Sequence, residues 1–197
     1  MTNVTADASQ RKAARVAGLL LLLSLIVPLL NWTLVLSGFI VTDKAGATAH
    51  NMLSREFLFR ISIMNDILTS IVALSLAVAL YTILKPIGKT LALLALFLKL
   101  TEAVLWAVMT LHNLDGLLIL KGLDSLAAGS PGQIQTLIGL FLNAHMSKSA
   151  VAGIFLGLSS TLFFYLFMKS GYISWILAGF GMLSYALIVM YDSMLIL

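Results

Sequence analysis

The sequence predicts an all-α fold: a polytopic transmembrane helix bundle with five spans in this chain and its N-terminus in the cytoplasm. Three observations predict it. Of the 197 residues, 60% are hydrophobic and only 10% are charged, with a mean hydropathy of +1.05, whereas a soluble domain carries about 25% charged residues. The apolar residues gather into five stretches, each longer than the roughly 20 residues that cross a bilayer. Lysine and arginine crowd beside the ends of those stretches, more on one side than on the other. The absence of cysteine excludes disulfides and thiolate metal sites. A net charge of +4 would point to nucleic acid in a soluble protein. Here the cations sit beside membrane segments, so the partner they imply is the lipid bilayer, with no nucleic acid.

A polar tail covers residues 1–10, and one integral-membrane domain covers 11–197. Arg11, Lys12 and Arg15 precede an apolar run over 16–41. That run exceeds the roughly 7 to 15 residues of a signal-peptide core, so it reads as an uncleaved first helix, kinked at Pro28. The second span covers 57–84 and the third 90–114. Between them Lys85-Pro86-Ile87-Gly88-Lys89 is too short for anything but a helical hairpin turn. The fourth span covers 145–168 and the fifth 172–195, joined through Lys169-Ser170-Gly171. The longer connections are 42–55 and 115–133.

Arg11, Lys12, Arg15, Lys85, Lys89 and Lys169 fall on one side, and Lys44, Arg55 and Lys121 on the other. The side with more cations is the cytoplasmic one. An odd number of spans then puts the C-terminus outside.

Ionisable groups inside hydrocarbon are costly unless partnered, so they mark interior polar sites. Counting about 1.5 Å per residue from these span ends puts Asp66 about 13 Å and Glu102 about 12 Å below the outer surface of a core about 30 Å thick, with Lys99 one turn deeper. Arg60, His145, Lys148 and Asp192 collect at the outer rim, with Asn31 somewhat further in. Ser62, Asn65, Asp66 and Thr69 follow the i, i+3, i+4, i+7 spacing and form one stripe on span two. On span three, Lys99, Glu102, Trp106 and Asn113 share a face. Span five presents Ala178, Gly181, Tyr185 and Asp192, and span one Ser24, Pro28 and Asn31. These faces converge on a polar pocket open to the extracytoplasmic side.

Each group has a plainer reading. Arg60, Lys148 and Asp192 sit where side chains snorkel to water. Lys99 and Glu102 can pair across one helical turn and lock helices together. Asp66 has no partner on its own helix and needs another residue, a proton or a ligand. Gly153 and Gly157 make a GxxxG face that reads first as packing within the chain and second as a homo-oligomer interface. Three scattered histidines give no metal set, and no cofactor is expected.

Several pieces of the chain are familiar: Arg11-Lys12-Ala-Ala-Arg15-Val-Ala-Gly18, Phe57-Leu-Phe-Arg60 with Asp66, Leu80-Tyr-Thr-Ile-Leu-Lys85-Pro86, and Thr90-Leu-Ala-Leu-Leu-Ala. His145 ahead of Gly153-Ile-Phe-Leu-Gly157-Leu, Lys169-Ser-Gly171 and Asp192-Ser193 complete them. In these the chain resembles a bacterial multi-pass membrane family, domain of unknown function 4386, from about Arg11 to Asp192. The resemblance implies the bacterial cytoplasmic (inner) membrane, and Arg60, Asp66, His145 and Asp192 as the most motif-like polar positions. It also implies six helices, and Leu197 falls where a sixth would begin: a shortened chain or a five-span member.

The expected function is binding or transport of a small-molecule or lipid-like ligand in the pocket. Transporters of inverted-repeat design show an internal repeat, and none is evident. An intramembrane enzyme, with Asp66 or Glu102 as general acid or base assisted by His145 or Lys148, is the alternative. No nucleophile elbow, zinc-binding helix or phosphate loop supports it. A structural or accessory subunit is the third reading.

Overall fold

A computed structural model of the chain describes residues 8–39, 41, 45–126 and 131–197, with side chains described except at 8–10, 45–46, 49, 120, 123–126 and 131–148. The described residues form five helices and no strands: α1 (Ala8–Leu34), α2 (Ala45–Ser54), α3 (Glu56–Leu126), α4 (Pro131–Ser170) and α5 (Trp175–Ile196), with a 3-10 turn at Leu36–Gly38. Four segments are long and apolar enough to span a membrane: Arg11–Gly38, Glu56–Ile119, Ser149–Ser170 and Trp175–Ile196. Leucines, phenylalanines and Trp175 cover their outward faces. With no water in hydrocarbon to satisfy an open backbone, helices of this kind are what a lipid-embedded chain forms.

The 71 residues of α3 are two limbs. Gly88, with φ −171° and ψ 85°, is the one non-helical position inside it. Pro86, which has no N–H to donate, weakens the helix just before the break. The limbs, 56–87 and 89–126, run antiparallel, because their contacts are symmetrical about the turn: Glu56 meets Lys121, and Phe59 and Ile63 cluster with Leu117. The hairpin read from the Lys85–Lys89 turn is therefore present, and α3 crosses twice, giving five passages with α1, α4 and α5.

Around the Gly88 end, α1, both limbs and α4 share one core. Ala17, Ala77, Ala92 and Ala95 interleave with Leu84, Phe163 and Leu166. Alanine at these contacts lets backbones approach closely, which substitutes for the hydrophobic drive that lipid does not provide. A left-handed turn at Gly171 (φ 69°) joins α4 to α5. Its N–H bonds Phe167 O at 3.2 Å, the C-terminal arrangement glycine permits.

At the opposite end a second cluster, Phe39, Met52, Phe59, Ile63 and Leu117, packs α2 and the 3-10 turn against α3. Phe39 and Phe59 meet edge to face, 5.7 Å between centroids. Thr48 Oγ1 accepts from Val41 N at 3.0 Å, and Asn51 Nδ2 donates to Phe39 O at 3.3 Å.

Several boundaries differ from the sequence reading, beginning with α1, which starts at Ala8 inside the expected tail and ends at Leu34 instead of 41. The second limb of α3 continues to Leu126, twelve residues beyond the expected end at 114, because Leu117 packs into the Phe39–Phe59 cluster and Lys121 pairs with Glu56, so Asp115 and Lys121 sit on helix instead of starting a loop. α4 begins at Pro131, not 145, with proline in the first turn where its missing N–H costs nothing. The expected connection 42–55 contains α2, a helix fastened by the side-chain bonds just described.

Candidate functional site

The polar residues of the bundle fall into three groups at different heights. The first surrounds Asp66. α1 lies antiparallel to the first limb of α3 and brings Asn31 over two turns of it. Asn31 Nδ2 donates to Ser62 Oγ at 3.1 Å and, at 3.4 Å, to Asp66 Oδ1. From the second limb Asn113 adds a side-chain hydrogen bond to the same carboxylate. Asn65 Nδ2 reaches Val27 O on α1 at 3.5 Å, and Thr69 Oγ1 donates to Asn65 Oδ1 at 3.4 Å. Asn31 and Ser62 are buried, while Asn65 and Asp66 are half-buried. Asn31 Oδ1 is buried with no hydrogen-bond partner. The first limb's stripe thus faces α1, as its spacing requires.

The second group is the ion pair Lys99–Glu102. Lys99 Nζ lies 2.7 Å from Glu102 Oε2. Glu102 is buried, and its carboxylate also receives Trp106 from the next turn. Both charges are therefore met within one helical stretch.

Asp66 and Glu102 are not one site. The cross-hairpin neighbour of Asp66 is Asn113, and Asn113 lies eleven residues from Glu102, about 16 Å along the axis. Measured from Gly88, Lys99 is about 16 Å, Glu102 about 21 Å and Asp66 about 33 Å away in a core about 30 Å thick. The ion pair is near mid-membrane and Asp66 near the far interface. The expectation of similar depth fails because it counted Asp66 inward from the outer end of the first limb and Glu102 outward from the inner end of the second, as if each limb just filled a core about 30 Å thick, whereas both limbs are longer than that. The Lys99, Glu102, Trp106 and Asn113 face spans both levels and so does not converge on a single pocket.

The third group joins α4 and α5. Asp192 is buried, and its carboxylate occupies the space beside Gly153 that a side chain would fill. Gly157 lies against Val189 and the Tyr185 carbonyl, and Gly181 against the Phe164 ring. Tyr185 stacks on Phe164, 5.7 Å between centroids, so it serves packing and not a pocket. The glycine face of α4 is occupied by α5 of the same chain.

Arg60 is exposed and pairs with Glu56 at 2.8 Å, where Lys121 joins at 2.9 Å. It belongs to a surface cluster apart from Asp66. The side chains of His145 and Lys148 lie outside the described residues. Among the described residues no group of three histidine, aspartate or glutamate side chains converges on a metal position. Asn113 as a partner of Asp66 was not recognised from sequence. The signal was available, since the two stand at similar distances on either side of the hairpin turn.

Comparison with known proteins finds one family. The family described as "Domain of unknown function (DUF4386)" matches residues 16–197. No curated protein and no solved structure matches the chain.

Proposed function

The chain belongs to the family described as domain of unknown function DUF4386, and from that premise we propose a membrane-embedded binding protein whose site is the Asp66 cluster, taking a small or lipid-like ligand with a protonated amine. The membrane is taken as the bacterial cytoplasmic one, with the Gly88 end inside, because Arg11, Lys12, Arg15, Lys85, Lys89 and Lys169 gather there. Asp66 then stands at the extracytoplasmic interface, within reach of water.

One observation carries the reading. The Asp66 carboxylate is met by two neutral amides and by no basic side chain among the described residues, and Asn31, which donates to it through Nδ2, keeps its own buried Oδ1 without a partner. A half-buried carboxylate at a membrane interface favours a counter-charge. A carboxylate and an unpartnered amide oxygen in one cluster suit a donor-rich cation, and a primary ammonium supplies three N–H groups. The separation of Asp66 from Glu102 weighs against an acid–base pair, which needs both groups within hydrogen-bond reach of one substrate.

Thermal unfolding of the purified protein in neutral detergent tests this, with hexylamine as probe and hexanoate as the charge-reversed control. Hexylamine is expected to raise Tm and hexanoate to leave it unchanged. Asp66→Asn removes the shift, whereas Glu102→Gln retains it. If Asp66→Asn is stabilised as strongly as the parent, the assignment fails.

A further inference from the structure

We infer that the groove between α1 and the first limb of α3 is a binding site for one acyl chain of an anionic phospholipid of the cytoplasmic leaflet, its headgroup phosphate held by Lys12. The inference shares with the proposed function only the orientation of the chain, and it concerns the opposite end of the bundle.

The groove encloses about 560 Å³ and is walled by Val16, Leu20, Leu74, Val78 and Ala79, with Lys12 at its mouth. It runs from Thr82 to Leu74, two turns or about 12 Å along the helices, toward the membrane interior. Its two hydroxyl residues commit their donors within the helix, Ser75 Oγ to Ile71 O at 2.8 Å and Thr82 Oγ1 to Val78 O at 2.9 Å, and keep only acceptor lone pairs. The other wall residues are aliphatic, which suits a hydrocarbon chain. Val16 and Val78 are also 45% and 49% exposed, so the groove opens sideways toward lipid and not into the protein.

Charge identifies the headgroup. Lys12 is flanked in sequence by Arg11 and Arg15, and the antiparallel register of α1 and α3 sets them beside Lys85 and Lys89 at the Gly88 turn. Among the described residues of α1 and of 70–98 there is no aspartate or glutamate. These cations have no acidic residue within those stretches, and a phosphate at the top of an acyl chain lying in the groove meets Lys12 directly. Anionic lipid is enriched in that leaflet, and each nearby Lys or Arg raises its retention about fivefold.

Native mass spectrometry of the whole protein from mixed micelles tests the site, with dioleoyl phosphatidylglycerol and dioleoyl phosphatidylcholine as competing probes. The protein is expected to retain one phosphatidylglycerol in preference to phosphatidylcholine. Lys12→Ala lowers that preference about fivefold, while Lys169→Ala, a cation on α4 away from the groove, leaves it unchanged. Val78→Trp, at a position 49% exposed, is expected to fill the groove and abolish retention of both lipids, with an unchanged thermal melt showing that the variant folds. Equal effects of Lys12→Ala and Lys169→Ala mean diffuse attraction with no site and overturn the inference, as does full retention by Val78→Trp.

Discussion

Asp192 on α5 occupies the volume that a side chain at position 153 of α4 would need, so Gly153 and Asp192 form a single joint between two helices. A methyl group at 153 would fall on the carboxylate. Gly153→Ala is therefore expected to destabilise the bundle by about 1 to 3 kcal/mol, the usual range for overpacking. Pairing it with Asp192→Ala removes the obstacle, so the double variant should unfold at a higher temperature than Gly153→Ala alone. Thermal melts of the four proteins of the cycle measure the coupling directly. Additive losses would mean that the two residues do not share this space.

The Lys99–Glu102 pair predicts the opposite pattern of tolerance. Removing one member leaves the other charge in a buried, apolar setting, and such losses run to about 3 kcal/mol or more. Lys99→Met is expected to be among the most damaging substitutions in α3. Lys99→Met with Glu102→Leu restores much of the stability, because an apolar pair carries no desolvation cost. Detergent unfolding of both variants checks it, and a double variant no better than the single one contradicts the pairing.

Asn31 ties α1 to α3 through Ser62 and Asp66. Asn31→Leu fills similar space but withdraws the donor, leaving two buried or half-buried oxygens less well served. The expected loss is about 1 to 3 kcal/mol. It should appear as faster proteolysis or amide exchange confined to α1. Uniform destabilisation of every helix would place the effect elsewhere.

The Glu56–Arg60–Lys121 cluster is a surface feature, with the Arg60 and Lys121 side chains 46% and 45% exposed. Exposed pairs contribute little and are screened by salt. Lys121→Ala should shift Tm by no more than the scatter of repeat melts at 0.5 M salt, and by a small amount at low salt. A large, salt-independent loss would show that the cluster is more enclosed than its exposure indicates.

Most of the fold was legible because lipid imposes simple rules. Long apolar runs had to be helices, the Lys85–Lys89 turn had to close a hairpin, and Gly153 with Gly157 had to admit a close neighbour. The site was less legible because depth was counted from guessed helix ends. Asp66 and Glu102 were counted from opposite ends of limbs longer than the membrane core is thick, and that moved Glu102 toward Asp66; Asp115 and Lys121 look like loop residues, yet they lie on a helix that continues past the apolar stretch. α2 escaped for a related reason: Ala45-Gly-Ala-Thr has neither the length nor the hydropathy of a span, and side-chain bonds from Thr48 and Asn51 hold it in place. Asn113 was placed on a face of its helix but given no height, since a helical wheel carries phase and no depth, so its meeting with Asp66 was not read.

The abrupt reversal at Gly88 also governs how the chain enters the membrane during synthesis. With so few residues between the limbs, they are expected to insert as a hairpin, with the Asp66–Asn113 hydrogen bond covering part of the polarity of both side chains. The same coupling fixes spacing over evolutionary time. A single residue inserted into the helical part of either limb between Asp66 and Asn113 would turn the segments on its two sides by about 100° relative to each other and separate this pair.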